Sequence, residues 1–252
     1  MRNPEDGQEF GSELRVLGDE AARAKKIRLT IILLSALLVL GAGFLVRLAQ
    51  QVIADAKPQQ PVHAEELHWA YYVIELIEVR DGDPPAPYDR AEFGPAWSRI
   101  TDNGCDVRTT MLMRDLEEVE LADNCTVASG VLHDRYSGTT VQYSMDSGGD
   151  AVQVDHIVSL SDAWKSGAWA WDPADRESFA NHSVNLLTVS AQQNQAKSSY
   201  TAADWLPADR TLHCWFVVRQ LLVKDMFGLS VTQNELEAYQ QVLPKCVAGD
   251  PQ

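Results

Sequence analysis

Three short stretches in the second half of the chain decide the fold: Val154-Asp155-His156-Ile157-Val158-Ser159-Leu160, Asn185-Leu186-Leu187 and Asn194-Gln195-Ala196-Lys197. Residues 152–154 alternate in polarity, which is typical of a strand with one buried face. Residues 186–189 form a second short apolar run, and residues 191–199 are polar and favour a helix. Together these stretches predict two short strands followed by a helix, a β-β-α core over residues 152–199.

The polar residues of this core have the chemistry that phosphodiester hydrolysis needs. Histidine can deprotonate a water near neutral pH, and a divalent metal stabilises the charge on the reacting phosphate. Asp155 on the strand and Asn194 on the helix can offer hard oxygen ligands to one Mg²⁺ ion. His156, the next strand residue, then points to the other side, toward the attacking water. We expect Asn185 to hold the backbone around His156 and Lys197, one helical turn after Asn194, to face the phosphate.

Each of these residues alone has a simpler explanation as a loop, cap or surface residue. Their order and spacing, however, resemble the HNH endonuclease superfamily. The nine-residue step from Asn185 to Asn194, with Lys197 three residues later, is similar to the HNH domain of RNA-guided CRISPR nucleases. The chain more closely resembles exported bacterial HNH-family proteins, the DUF1524 group. The further shared motifs lie between residues 88 and 246: Tyr88-Asp89-Arg90, Gly104-Cys105-Asp106-Val107-Arg108, Asp134-Arg135-Tyr136-Ser137-Gly138, Ala163-Trp164, Gly167-Ala168, Arg176, Phe179-Ala180-Asn181, Trp205-Leu206-Pro207 and Cys214.

The resemblance implies a metal-dependent endonuclease in which Asp155 and Asn194 are ligands, His156 is the general base and Asn185 positions it. It implies one divalent ion, Mg²⁺ first and Mn²⁺ second. The expected fold class is α+β, with a ββα-metal core embedded in a mostly helical, disulfide-containing domain. Two residues depart from the family pattern, Arg135 where proline is common and His182 where aspartate is common. His182 could therefore add an imidazole ligand, although a surface-loop histidine is the simpler interpretation.

The remainder of the domain, residues 63–252, reads as helices around this core. Apolar residues recur at three- and four-residue steps over residues 63–80 and predict a helix, which the prolines of residues 81–87 end. We expect a helical piece at residues 109–121, a hairpin at residues 131–143, and two closing amphipathic helices. The closing helices are predicted at residues 214–227 and 232–243.

Residues 29–46 are 18 consecutive residues without a charge. As a helix they would span about 27 Å, close to the hydrocarbon thickness of a bilayer. Lys and Arg cluster on the N-terminal side, which predicts a single-pass anchor with a cytoplasmic lead (1–28), an external stalk (47–62) and an extracellular C-terminal domain. A cleaved signal peptide is the main alternative, with an A-x-A-like site at Ala54-Asp55-Ala56, and it would make the protein secreted.

All four cysteines follow this apolar segment, and none forms a C-x-x-C pair. An even number in an exported domain predicts two disulfides. Of the three pairings, we favour Cys105–Cys125, which closes a local loop, with Cys214–Cys246, which ties the last helix to the one before it.

The charge of the chain is unusual for a protein that acts on nucleic acid. The net charge is −15, and from Glu65 onward 13 Lys and Arg face 29 Asp and Glu. Because phosphate neutralisation dominates such binding, a broad duplex-binding face is excluded, and substrate contacts would come from a local patch of Arg90, Arg108, Arg176 and Lys197. The expected partner is nucleic acid, with DNA favoured over RNA, and no protein partner can be inferred. The alternative is a catalytically silent surface protein that keeps the fold and binds or scaffolds another ligand.

Overall fold

A computed structural model describes residues 61–97, 101–102 and 104–249, together with the single residue Gly41. The predicted membrane segment, residues 29–46, lies outside the described residues apart from that glycine. Among the residues described, no helix is both long and apolar enough to cross a bilayer. The described residues from 61 onward belong to one compact unit, and its fold class is α+β as expected.

Helix α6 (His213–Met226) is the centre of the larger core, and its side chains are buried on nearly all sides. Helix α1 (Ala64–Leu76) packs along it, and α7 (Gln233–Val242) follows it in the chain. Helix α7 begins with a capping box, in which Thr232 and Glu235 satisfy each other's backbone amides. The three predicted helices of this core are therefore confirmed, with α1 ending four residues earlier than expected.

A three-stranded antiparallel sheet lies beside α2 (Val107–Asp115), in the order β1 (Leu116–Asp123), β2 (Thr126–His133) and β3 (Thr140–Ser144). The hairpin predicted at residues 131–143 is confirmed by β2 and β3. The helix predicted at residues 109–121 is wrong in its second half, because the chain leaves the helix after Asp115 and pairs with β2. Strand pairing has overridden the helical preference of this glutamate-rich segment.

The β-β-α core is confirmed in its elements. Strand β4 (Val152–His156) pairs antiparallel with β5 (Leu186–Ser190), so that Val152 faces Ser190 and His156 faces Leu186. Helix α5 (Ala191–Lys197) packs on both strands and starts at Ser190, whose hydroxyl accepts the amide of Gln193. The connection from β4 to β5 carries α3 (Leu160–Lys165) and α4 (Pro173–Ala180), which form a smaller apolar core with Phe93.

Both predicted disulfides are present, Cys105–Cys125 and Cys214–Cys246. The first ties the start of α2 to the turn between β1 and β2, and the second joins α6 to the chain after α7. Their sequence separations are 20 and 32 residues. Loops of this size stabilise a domain by about 2–4 kcal/mol each, mainly by restricting the unfolded chain.

We therefore expect mass spectrometry of the unreduced, alkylated full-length chain to find all four cysteines unalkylated. Reduction should lower the midpoint of urea unfolding, and the Cys214→Ser/Cys246→Ser variant should lose about 2–4 kcal/mol of unfolding free energy. Alkylated Cys105 and Cys125 in the unreduced protein would contradict an oxidising destination for this domain.

Candidate functional site

A cleft of about 370 Å³ lies at the end of β4, where Asp155 and His156 meet the residues that follow α5. Its remaining lining comes from the segment before α3 and from the chain near residue 90. Most of these side chains are polar and one, Arg90, is an exposed cation. The lining residues are Tyr88, Arg90, Asp155, His156, Ser159, Leu160, Ser161, Ser198 and Ser199. Three residues that the sequence predicts for the site, Arg90, Asp155 and His156, therefore line one cleft.

The Asp155 carboxylate is 7% exposed, and both of its oxygens have partners. The Lys197 ammonium lies 2.9 Å from Oδ2 and 3.2 Å from Oδ1, and it also donates to the carbonyl oxygen of His156 at 2.8 Å. The Tyr136 hydroxyl donates to Oδ2 at 2.8 Å. Burial, together with the negative charge of Asp155, raises the pKa of Tyr136 well above its usual value, so the phenol remains a donor.

The turn between β2 and β3 explains how Tyr136 reaches this carboxylate. The buried Asp134 accepts the Tyr136 amide on one oxygen and the hydroxyls of Ser137 and Ser190 on the other, at 2.7–3.0 Å. The turn is thereby attached to the end of β5. Gly138 has a φ of +70°, which strains any residue with a side chain, and a Cβ there would lie 2.6 Å from a side-chain oxygen of Asp209. The Asp134–Gly138 motif thus positions the phenol on Asp155.

His156 is half-buried, and its Nε2 lies 2.8 Å from the carbonyl oxygen of Ala180 at the end of α4. A carbonyl can only accept, so the proton of the neutral ring belongs on Nε2 and Nδ1 is left as an acceptor. Burial lowers the pKa of His156 to about 4, against the raising effect of the Ala180 hydrogen bond. Trp97 stacks on the ring with centroids 6.0 Å apart. The imidazole is therefore neutral at pH 7, with its proton on Nε2.

Asn185 is fully buried and is bonded to the segment that follows His156. Its side-chain oxygen accepts the amide of Val158 at 2.8 Å, and its side-chain nitrogen donates to the carbonyl oxygen of Val158 at 3.1 Å. Its own carbonyl accepts the amide of Ile157 at 2.8 Å. Gln220 of α6 donates to the Ile157 carbonyl at 3.0 Å. These bonds fix the backbone directly after His156, which is the contact expected of Asn185.

Helix α5 does not place its two predicted site residues as expected. Asn194 donates to the side-chain oxygen of Gln153 at 2.8 Å and does not line the cleft. Lys197 is fully buried against Asp155, whereas the sequence predicted that it would face the phosphate. The reason is the spacing along β4. Gln153 and Asp155 lie two residues apart and therefore point to the same face of the strand, which α5 covers. Asn194 lies against Gln153, and Lys197, one helical turn later, lies against Asp155.

The predicted basic patch is also corrected. Arg176 is 6% exposed, and its guanidinium donates to Glu92 and to the carbonyl oxygen of Trp171 while it lies over the Trp164 ring. It therefore holds the smaller core together. Arg108 is half-buried on α2 and does not line the cleft. His182 caps the turn before β5 by accepting the amide of Val184, and packs against Phe227.

A family model described as "GmrSD restriction endonucleases, C-terminal domain" matches residues 107–242. The match extends from α2 to the end of α7, and so contains the β-β-α core and more than half of the 252 residues. The chain belongs to this family.

A second comparison extends beyond the GmrSD C-terminal domain. The chain is 33% identical over 201 residues to an uncharacterized secreted protein of the fungus Arthroderma benhamiae, and the alignment covers 79% of this chain and 95% of that protein. No solved structure matches the chain. The GmrSD family match supports the expected nuclease class. A specifically bacterial origin and the DUF1524 grouping find no support in these matches, since this relative is fungal.

In this GmrSD-family domain, sequence reasoning missed the residues that complete the surroundings of Asp155. Tyr136 and Asp134 were visible only as part of a shared motif, without a role. The sequence does not single out the cleft serines as site residues, because isolated serines have no characteristic periodicity or spacing. Among the described residues, no three His, Cys, Asp or Glu side chains gather into a group that could hold a metal.

Proposed function

We propose that this protein is a metal-dependent endonuclease of the HNH type that hydrolyses phosphodiester bonds of nucleic acid outside the cytoplasm. The observation that carries the proposal is His156, a neutral imidazole with Nε2 bonded to a carbonyl, in one cleft with the Asp155 carboxylate. The GmrSD family match supports nuclease-type activity on nucleic acid, and the secreted relative supports an external location. Residues 29–46 would supply a membrane tether or, if cleaved, a signal segment.

His156 is the proposed general base. With the Nε2 proton held by the Ala180 carbonyl, Nδ1 is free to take a proton from water, and the lowered pKa keeps the ring unprotonated at neutral pH. After proton transfer, the same carbonyl would stabilise the imidazolium. Asn185 fixes the backbone that follows His156, which limits the movement of the ring.

Asp155 and Asn194 are the proposed ligands of one Mg²⁺ or Mn²⁺ ion. A carboxylate and a carboxamide oxygen are the hard donors that Mg²⁺ accepts. The bond from Asn194 to Gln153 uses the amide nitrogen and leaves the amide oxygen as a donor to a metal. When bound, the ion would supply Lewis-acid stabilisation of phosphate charge.

Three further side chains have supporting roles in this proposal. Lys197 and Tyr136 hold the Asp155 carboxylate in one orientation through charge-assisted hydrogen bonds. Arg90 is the exposed cation of the cleft and the proposed contact to a substrate phosphate. Of the patch that the sequence predicts, Arg90 lines the cleft, whereas Arg108, Arg176 and Lys197 do not.

The second candidate is a domain that keeps this fold but binds nucleic acid or another ligand without cleaving it. One observation favours it, since the Lys197 ammonium already neutralises Asp155. The two candidates differ in one result. Incubation of the full-length chain with supercoiled plasmid and with RNA, in EDTA, Mg²⁺ or Mn²⁺, should yield metal-dependent cleavage if the protein is a nuclease. Intact substrates at every metal concentration would leave only the silent binder.

We expect the Asp155→Ala and Asn194→Ala variants each to weaken Mn²⁺ binding in titration calorimetry, because each removes one oxygen ligand. Loss of supporting interactions around a metal costs about 10–100-fold in affinity, and loss of a ligand should cost at least that. Gln195→Ala, an exposed neighbour on the same helix, is the matched control and should bind Mn²⁺ normally. Unchanged affinity in both ligand variants would place the metal elsewhere.

A further inference from the structure

A second cleft, of about 330 Å³, gathers three arginines in a protein whose acidic residues outnumber its basic ones. Arg114 comes from the end of α2, Arg135 from the turn between β2 and β3, and Arg219 from α6. Two carboxylates, Glu66 and Asp115, accompany them. The cleft therefore holds one more guanidinium than carboxylate, with His63 at its edge.

The three guanidinium groups differ in how fully their donors are used. Arg114 donates to both oxygens of Asp115 and to the carbonyls of Ser183 and Leu186, so it is largely satisfied within the fold. Arg219 makes one ion pair, with Glu66 at 3.2 Å. Because a guanidinium carries five N–H groups, Arg219 retains donors for a further acceptor.

Arg135 has no carboxylate partner among the described residues. It lies over the Trp215 ring at 5.3 Å and is exposed to solvent. Partial burial of the guanidinium and the positive charge of Arg219 lower its pKa; Arg114 acts in the same direction, and Asp115 and Glu66 oppose it. The flanking Asp134 and Tyr136 are almost completely buried, so the backbone that carries this guanidinium is fixed. The guanidinium is therefore carried on a fixed backbone near the charge of Arg219, and an anion in the cleft would balance these two cations.

We propose that this second cleft binds a phosphate group, with Arg135 and Arg219 as its donors. Planar guanidinium groups bind phosphate oxygens through paired hydrogen bonds, which a lysine cannot reproduce. The cleft is also lined by Ile157 and Leu186. Ile157 directly follows His156 in the chain, and Leu186 is the strand partner of His156. The phosphate site thus adjoins the β4–β5 pair that carries the candidate catalytic residues.

The phosphate could belong to a nucleic-acid strand or be free in solution. As a backbone contact, the cleft rests on the proposed function and adds an accessory subsite to it. As a site for free phosphate, it stands independently of nuclease activity. In either case the cleft supplies a local cluster of cations, which a strongly acidic protein needs in order to bind phosphate.

The test uses the full-length chain in EDTA, so that no cleavage occurs. Binding of inorganic phosphate is measured by calorimetry, and binding of a fluorescein-labelled single-stranded oligonucleotide by anisotropy over a range of salt. We expect Arg135→Gln to lower the affinity for whichever of the two ligands binds by about tenfold, and Arg135→Gln/Arg219→Gln to lower it further. Each charged hydrogen-bonding partner contributes to affinity on that scale. Arg80→Gln removes an exposed arginine outside the cleft and should change neither titration.

For an oligonucleotide, loss of one phosphate contact should also reduce the slope of log K against log salt by about 0.7. Weakened oligonucleotide binding with no response to inorganic phosphate would assign the site to nucleic acid, and weakened phosphate binding alone would assign it to the free anion. Unchanged binding of both in the double variant would overturn the phosphate site. Plasmid cleavage by the wild type in Mg²⁺ is measured separately, so failure of this site and failure of the nuclease are distinguishable.

Discussion

Replacement of His156 by alanine is expected to reduce phosphodiester cleavage by about 10²–10⁴-fold, the usual contribution of a general base. The variant removes the one neutral imidazole that lines the cleft with Asp155. It leaves the contacts of Asp155 with Lys197 and Tyr136 untouched. Single-turnover cleavage of a labelled duplex, with protein and Mg²⁺ both saturating, measures the loss directly, since substrate affinity then does not enter the rate.

Two comparisons separate a catalytic loss from a structural one. His133→Ala removes an exposed histidine of β2 that is hydrogen-bonded to Glu117 and Thr140, and it should cleave at the wild-type rate. Mn²⁺ binding by His156→Ala should stay within a few-fold of wild type, because the proposed ligands remain. A His156→Ala protein that cleaves as fast as His133→Ala would remove His156 from the mechanism.

The elements of the β-β-α core could be predicted because their signals are local. Alternation over residues 152–154, the short apolar run after Asn185 and the polar helix that follows each depend on neighbours a few residues away. The bonds between Asn185 and Val158 could also be anticipated, because antiparallel pairing brings the start of β5 beside the end of β4. The disulfides could be predicted from the short loop between Cys105 and Cys125 and from the expected packing of the last two helices.

The partners of the charged side chains could not be predicted, because they depend on which elements pack together. From the sequence alone, Lys197 is expected to face solvent. Its burial follows only from the packing of α5 on the face of β4 that carries Asp155. Arg176 likewise reads as a surface charge until Trp164 and Glu92 are brought beside it. The arginine cleft joins α2, α6 and a hairpin turn that are remote in sequence. Sequence spacing therefore identifies candidate chemistry, but it does not show that Lys197 and Arg176 are buried within the fold.

Lys224 provides the most demanding stability test, because its ammonium is fully buried near the end of α6. It lies 2.6 Å from Glu235 and 3.0 Å from Asp162, and also donates to Ser166 and to the carbonyl oxygen of Ser230. It thereby joins α6, α7 and the α3 segment that follows His156. Removing one member of a buried ion cluster leaves uncompensated charge and costs about 3–5 kcal/mol. We expect Lys224→Met to lose that much unfolding free energy in urea at pH 7.

The same variant should recover stability as the pH falls, and the sign follows from Glu235. Burial and the charge of Asp162 raise the pKa of Glu235 even with the lysine present, and loss of the ammonium raises it further. A carboxyl whose pKa is higher in the folded state than in the unfolded state binds its proton more tightly when the protein is folded. The folded state therefore gains stability as the pH falls from the folded-state pKa to the unfolded-state pKa. The difference between wild type and Lys224→Met should therefore be smaller at pH 5 than at pH 7. Lys165→Met, an exposed lysine of α3, is the control and should stay within about 0.5 kcal/mol of wild type at both values. An equal loss at pH 5 and pH 7 would mean that the cost of the substitution comes from packing rather than from the buried carboxylates.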